Sequence, residues 1–244
     1  MKGVILAGGT GSRLYPKTRL TNKHLLPVGG VPMIHHGIRK LKEAGMDDIL
    51  IVTGKAHIDL MIEALGYGDA FGVRLSYEIQ EEAGGVAEAL GLARGFCGGG
   101  PVAVLLGDNI FFDSLEDHVH SFLASDAQAM VFLKRVTDPE RFGVATFVDG
   151  KIAAMEEKPS RPESDCAVTG IYLYKPQVFT IIDGLQPSER KELEITDVNR
   201  AFLHTGLLDY RILTGHWIDA GTHESLAEAD RLFTTSAVAK VHHS

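Results

Sequence analysis

The first 42 residues contain no aspartate and no glutamate. They hold eight Lys or Arg: Lys2, Arg13, Lys17, Arg19, Lys23, Arg39, Lys40 and Lys42. The whole chain of 244 residues is formally −8. The other 202 residues therefore set 16 Lys or Arg against all 32 Asp or Glu, a balance of −16. An acidic total argues against binding nucleic acid or an anionic membrane through bulk electrostatics. Cysteine is scarce too. Cys97 and Cys166 stand 69 positions apart with no metal spacing, so a reducing cytoplasm is the expected setting. No apolar run approaches the length of a membrane span. Only Val4 to Ala7 are apolar between Lys2 and the glycines, so the N-terminus does not read as a signal peptide. No repeat, low-complexity segment or linker is visible. With 45% hydrophobic residues the chain can build one large α/β core or two modest domains.

The cationic opening runs from Gly3 to Val28. Val4 to Ala7 is a short apolar run that stops at glycine, as a buried strand does. Gly8, Gly9 and Gly11 follow. Glycines there let the chain turn sharply and bring backbone N–H groups close to a ligand. Positive potential on an otherwise acidic chain suits a polyphosphate. The competing reading is a plain β-turn with solvated charges. Two common phosphate motifs are missing. No Gly-x4-Gly-Lys-Ser/Thr string occurs. From Gly9 the chain reads Gly-Thr-Gly-Ser-Arg-Leu, so Leu14 stands where a dinucleotide fingerprint needs its third glycine. That fingerprint also needs an acid about twenty residues on, and none precedes Glu43.

Beyond this stretch the first hundred residues alternate. Pro32 to Ala44 reads as a helix ended by Gly45, Ile49 to Val52 as a strand, and His57 to Leu65 as a helix. Val73 to Ile79 reads as a strand and Ala87 to Ala93 as a helix, broken by Gly98-Gly99-Gly100-Pro101. Val102 to Leu106 is another buried strand. Such alternation implies an α/β fold with an open, mostly parallel sheet flanked by helices and ligands at the strands' carboxyl ends. From Phe142 the pattern changes to strands in quick succession: Phe142 to Val148, Lys151 to Glu157 and Ala167 to Tyr174. Asp149-Gly150 signals a hairpin between the first two. This β-rich part reads as a small insertion over one end of the sheet.

Leu106-Gly107-Asp108-Asn109 places a carboxylate at the sheet's rim. By itself Asp108 is either a turn or cap residue or a ligand. Asp219, between Ile218 and Ala220-Gly221, is an odd place for a merely solvated charge. Glu156-Glu157-Lys158-Pro159 alone reads as a solvated strand end. Thr196 is expected to cap a helix reaching His204, after which Leu208 to Leu213 reads as a strand. Thr222 is expected to cap a last helix ending near Phe233, with Leu226, Ala229 and Phe233 on its buried side. The pairs His35-His36, His118-x-His120 and His242-His243 lack the i,i+4 spacing of helical metal ligands, so they are expected to be surface or core residues.

Gly8-Gly9-Thr10-Gly11-Ser12-Arg13-Leu14-Tyr15-Pro16, followed by Lys23 and Leu26-Pro27-Val28, resembles the signature of the sugar-1-phosphate nucleotidyltransferases. Within them the chain is most similar to glucose-1-phosphate thymidylyltransferases, especially short forms of spore-coat polysaccharide synthesis. The match runs almost the full length. It extends to Arg141-Phe142-Gly143-Val144, Glu156 to Pro159 and Val168-Thr169-Gly170-Ile171-Tyr172. The resemblance implies one domain over 1–244, with 1–135 mainly nucleotide-binding and 136–221 mainly sugar-phosphate-binding. It implies dTTP and glucose 1-phosphate as substrates and Mg²⁺ on Asp108 and Asp219. Arg13, Lys23, Asp108, Lys158 and Asp219 would be catalytic. Leu6, Gly8, Gly9, Gly11, Arg13, Gln80 and Gly85 would hold the nucleotide, Gln80 both donating and accepting at the base. Phe142, Gly143, Glu157, Lys158, Val168 and Tyr172 would hold the sugar phosphate. A homo-oligomer in the cytoplasm is expected, with no nucleic-acid or membrane partner. His24 departs from the glutamine common in longer relatives; it flanks the active loop and puts nothing essential in doubt.

Two other classes compete. A catalytically silent regulatory subunit is disfavoured by retention of the five catalytic residues. A nucleotide-dependent oxidoreductase is disfavoured by the missing third glycine and ribose acid. Longer relatives carry extra C-terminal helices that help form an effector site. With only Thr234 to Ser244 after the last expected turn, dTDP-sugars are expected to inhibit here only by competing at the active site.

Overall fold

Val4, Ile5, Leu6 and Ala7 have almost no solvent exposure, and their side chains point alternately to two faces of one sheet. Val4 and Leu6 join one core with Leu50, Val52 and Val104. Ile5 and Ala7 join the other with Ile49, Ile51 and Leu105. A strand buried on both faces needs helices on both sides, and this chain supplies them.

The computed structural model of the protein describes residues 1–241. In chain order the strands are β1 (Lys2–Ala7), β2 (Pro27–Val28), β3 (Val31–Pro32), β4 (Asp48–Gly54), β5 (Arg74–Gln80), β6 (Val102–Leu106) and β7 (Asn109–Phe111). They continue as β8 (Ala129–Arg135), β9 (Gly143–Val148), β10 (Lys151–Glu157), β11 (Cys166–Tyr174), β12 (Leu208–Ile212) and β13 (Trp217–Asp219). The helices are α1 (Ile34–Glu43), α2 (Ile58–Leu65), α3 (Val86–Leu92), α4 (Arg94–Cys97) and α5 (Glu116–Ala124). After them come α6 (Gln177–Gly184), α7 (Ile195–His204) and α8 (His223–Val241).

The main sheet runs β10-β9-β11-β6-β1-β4-β5, with β8 also paired to β11 and β12 to β8. The four strands β6, β1, β4 and β5 are mutually parallel. β11 runs antiparallel to β6, β8 and β9. The expected β-rich insertion is therefore a hairpin, β9–β10, that extends this same sheet at one edge. Its turn is the expected Asp149-Gly150, with both residues at positive φ, 50° and 75°. α3, α6 and α7 cover one face through Leu90, Phe179 and Phe202. α1, α2 and α5 cover the other through Ile38, Met61 and Phe122. A third cluster seats α8 against the opening loop: Leu226 and Ala229 pack with Leu14, Val28, Ile110 and Ile218.

Two boundary expectations change. α7 begins at Ile195 with Glu194 as its flanking residue, so Thr196 is not the cap. Its hydroxyl has a stronger partner, the Glu157 carboxylate, to which it donates at 2.6 Å. α8 does not stop near Phe233 but runs to Val241. No glycine or proline follows Phe233, and small polar residues alone do not end a helix. Its start is as expected. The Ser225 N–H donates to the Thr222 hydroxyl at 3.2 Å, and the Thr222 N–H donates to the Ser225 hydroxyl at 3.1 Å. His35 and His118 make edge contacts with Phe71 and Phe132, and His36 stacks on Phe233. His242 and His243 lie outside the described residues.

The core contains a polar link between two side chains. The Tyr174 hydroxyl donates to Asn199 Oδ1 at 2.6 Å, and both residues are fully buried. The Asn199 amide nitrogen has no other partner. Tyr174→Phe should therefore cost about 1–2 kcal/mol of stability, because it leaves a buried acceptor unpaired. In a domain of this size that lowers Tm by about 2–8 °C. A thermal melt checks this, with turnover expected to be retained.

Candidate active site

β1, β4 and β6 are parallel neighbours, so their carboxyl ends open on the same edge of the sheet. At β1 this end is the loop Gly8 to Gly11, where Gly9 and Gly11 have φ of 89° and 62°. Such backbone is accessible to glycine at little cost. Leu14, fully buried in the α8 cluster, anchors the following short turn and so aims Arg13. Farther on, Asn22 ties the loop back. Its amide donates to Ala7 O at the end of β1 at 3.1 Å, and its Oδ1 accepts from the His24 N–H at 2.9 Å. That knot holds the short turn Lys23–Leu25 against the sheet.

β6 ends one residue before Gly107, and Asp108 follows. The Lys23 ammonium contacts the Asp108 carboxylate directly, and both are nearly buried. Asp108 Oδ1 also accepts from the Asn109 amide at 3.2 Å. Burial pushes the Asp108 carboxyl up. The Lys23 ammonium outweighs that, helped by His24 and by hydrogen bonds from Lys23 and Asn109, and the group is held well below the usual carboxylate range. β13 pairs antiparallel with β7, setting Asp219 opposite Asn109. The Ala220 N–H donates to Asp108 O at 2.9 Å. Asp219 is thereby carried beside Asp108. Burial raises its pKa, and the negative charge of Asp108 raises it further, against Lys23, Arg13 and the Gly221 N–H at 2.9 Å. A side-chain Cβ at Gly221 would fall 2.8 Å from the Arg13 guanidinium, so Arg13 lies across this strand end.

Two cavities meet here. The first is lined by Leu6, Gly8, Gly9, Lys23, Gln80 and Gly85. The second is lined by Arg13, Asp219, Phe142, Gly143, Glu157, Lys158, Val168 and Tyr172. Val86, Leu106, Asp108 and Glu192 border both. The residues expected from sequence thus fall into two groups around Asp108. Two of the nucleotide group are placed differently. Arg13 lies on the second cavity's wall, and Gly11 borders neither, serving to turn the chain over Thr18. Gln80 is also more restricted than expected, since its amide nitrogen is already bound to Glu88 and to Gly85 O.

The second cavity is held by contacts across the fold. Glu157 lies near Lys158 and Arg190, at 3.5 and 3.6 Å, besides its bond from Thr196. Lys158 has a left-handed backbone, φ 45°, which costs energy for a side-chain-bearing residue and is found at ligand sites more than elsewhere. The Trp217 indole donates to Asn109 Oδ1 at 2.7 Å and meets Phe142 edge to face at 5.2 Å. Arg141 bonds Asp138 through Nη1 at 2.5 Å, while its buried Nη2 has no partner. Arg141 also lines the second cavity, where it adds a positive charge to the wall.

Sequence reasoning missed Asn109, Arg141, Glu192, Arg190, Thr196 and Trp217 as wall residues. Asn109 and Arg141 lay inside quoted motifs, and Trp217 is the chain's single tryptophan, two residues before Asp219. Arg190 and Glu192 sit in a polar stretch that carries no signal. His24 flanks the loop, as expected. It is buried, borders the first cavity and is neutral, its pKa lowered to about 3 by burial and by the Lys23 ammonium.

Two cavities thus meet at Asp108, with Lys23 on the wall of the first and Arg13, Lys158 and Asp219 on that of the second. The nucleotidyl transferase family model matches residues 2–236, and the chain belongs to that family. A glucose-1-phosphate thymidylyltransferase of Neisseria meningitidis is 44% identical over 94% of this chain and 81% of its own. One from Xanthomonas campestris is 44% identical over 96% and 81%. A crystal structure of a Bacillus anthracis protein, provisionally named glucose-1-phosphate thymidylyltransferase and solved in complex with a sucrose, superposes with a TM-score of 0.92. It is 53% identical, covering 96% of this chain and 95% of that one. A UDP-glucose pyrophosphorylase structure, 23% identical with a TM-score of 0.86 over 96% and 98%, shares the fold.

Removing Lys23 should leave the Asp108 charge buried without its cation. Lys23→Met is expected to lose about 3 kcal/mol of stability. The double variant with Asp108→Asn should recover most of it, because neither charge then remains unpaired. Denaturant unfolding of the two single variants and the double variant measures the coupling.

Proposed function

We propose that this chain transfers a thymidylyl group from dTTP to glucose 1-phosphate, giving dTDP-glucose and pyrophosphate. The observation that carries the reading is the meeting of Asp108 and Asp219 between two cavities, with Arg13, Lys23 and Lys158 around them. The first cavity would take the nucleotide and the second the sugar phosphate. That division follows residues 1–135 and 136–221 only roughly, because Arg13 and Glu192 serve across it. Two unpaired cysteines, Cys97 and Cys166, support a cytoplasmic setting. No helix among the described residues is long and apolar enough to cross a membrane.

The donor set suits Mg²⁺. Magnesium takes oxygen ligands and is commonly held by one or two carboxylates plus substrate phosphates. Asp108 and Asp219 provide two, in a place where their mutual repulsion favours an added cation. Bound there, Mg²⁺ would offset charge on the α-phosphate.

The remaining chemistry is positioning and charge. A phosphate oxygen of the sugar attacks the α-phosphorus of dTTP. The bond from that phosphorus to the β-phosphate oxygen breaks, and pyrophosphate leaves with the electron pair. Arg13 would hold the departing pyrophosphate with its planar fork of donors. Lys23 would sit at the triphosphate, and Lys158, with Arg141 on the same wall, at the attacking phosphate. Glu157, oriented by Thr196, would accept from sugar hydroxyls. Phe142 and Trp217 would pack on the sugar ring.

Pyrophosphate release on mixing the protein with Mg²⁺, dTTP and glucose 1-phosphate tests the reading. Equal turnover with ATP would overturn the thymidylyl assignment. Asp108→Asn and Asp219→Asn should each lower kcat on the order of a hundredfold or more. Wild-type rates for both at saturating Mg²⁺ would remove the metal assignment. Arg13→Lys keeps charge but loses the fork, and should lower kcat more than it raises KM. The reverse pattern would confine Arg13 to ground-state binding.

A further inference from the structure

Gln80 ends β5 on the wall of the first cavity, and its side chain is nearly buried. Its amide can offer two hydrogens from Nε2 and one acceptor, Oε1. Two acceptors surround Nε2. One is the Glu88 carboxylate, from the first turn of α3, in direct contact. The other is Gly85 O, at 3.3 Å. Both donor hydrogens are therefore committed. Turning the amide over would set Oε1 against a carboxylate oxygen and a carbonyl, three acceptors with no hydrogen between them. The Glu88 charge makes that arrangement costly. Oε1 is left on the loop side, where a Cβ built at Gly8 would fall 2.5 Å from it. The Gln80 side chain thus presents an acceptor at this point and no donor.

We propose that Glu88 is a positioning residue for base selection: by holding the Gln80 amide nitrogen, it leaves only Oε1 to meet the base and so selects a pyrimidine that carries a ring N–H. Thymine and uracil have such an N3–H. Cytosine has an unprotonated N3, which would face Oε1 acceptor to acceptor. Without Glu88 the amide can turn, and its nitrogen can donate to cytosine N3. Guanine also carries a ring N–H, so this contact sorts pyrimidines and leaves purines to be excluded by size. The inference rests on the nucleotide reading of this cavity.

The test compares wild type with Glu88→Gln and Glu88→Ala. In Glu88→Gln the new side-chain amide can offer either face to Gln80, and in Glu88→Ala only Gly85 O remains. Binding of dTDP and of dCDP is measured by calorimetry, and kcat/KM for dTTP and dCTP by pyrophosphate release. Wild type should favour the thymine nucleotide. Both variants should narrow the thymine-to-cytosine ratio about tenfold, which corresponds to about 1.4 kcal/mol. General loosening of the site would weaken both nucleotides together and leave the ratio alone, so the ratio separates positioning from structural support. Ratios unchanged within twofold in a folded variant overturn the proposal, as does a wild type that binds dCDP as tightly as dTDP. Absence of turnover in wild type with a binding ratio that still narrows in the variants supports Glu88 and defeats the thymidylyl-transfer reading instead. If one variant fails to fold, the other decides.

Discussion

The Lys23 ammonium and the Asp108 carboxylate meet where little water reaches, and neither is stable there alone. An isolated buried charge is costly, and the attraction between the pair offsets that only if both are held in place. Much of the surrounding chain serves this. Asn22 binds the turn that carries Lys23 to the last residue of β1. Gly107 lets β6 pass close beside His24, since a Cβ there would lie 2.8 Å from the ring. β13 brings in a second carboxylate, whose pKa is raised by burial and then by the negative charge of Asp108. The absence of acids from the first 42 residues fits the same constraint: an added carboxylate near Lys23 would compete with Asp108 for its charge.

The sheet explains how two distant stretches share this place. β11 pairs along one edge with β9 through Ala167 and Val168 and with β6 from Ile171 to Tyr174. A register irregularity separates these two ladders, on the side facing β8. Gly170 lies within it, and its N–H donates to Asn109 Oδ1 at 2.8 Å. The same oxygen accepts from the Trp217 indole. One amide beside Asp108 therefore fastens β11 and β13 to the end of β6.

What was legible in the sequence was local. β1 and its glycine loop, β4, β5 and β6 announced themselves as apolar runs closed by turn residues. Asp149-Gly150 marked its hairpin. Asp108 and Asp219 stood out as acids at strand ends. Most of the residues that the resemblance named line one or other of two cavities, while Arg13 lies on the second and Gly11 on neither. Unread features depend on partners far along the chain. Thr196 looks like a cap because Thr often is one, and only the fold brings Glu157, 39 residues away, to its hydroxyl. Arg190 has no local signal, and it matters through Glu157, Glu192 and Glu194. Residues 110–141 and 175–191 suggested no element, yet they hold α5, β8 and α6. β8 is buried from both sides, so its run lacks the alternation that marks a half-exposed strand.

Val86, Leu106, Asp108 and Glu192 form the common border of the two cavities. Elsewhere the walls draw on largely different segments: the glycine loop after β1, the end of β5 and the start of α3 on one side, and β9, β10, β11, β13 and the start of α7, with Arg13, on the other. On the proposed assignment of the cavities, a gene duplicate could drift toward a new acceptor sugar through changes near β9, β10 and α7 while its choice of nucleotide stayed fixed. The reverse drift is equally open. The four border residues are where such independence ends, because a change there is felt by both partners at once.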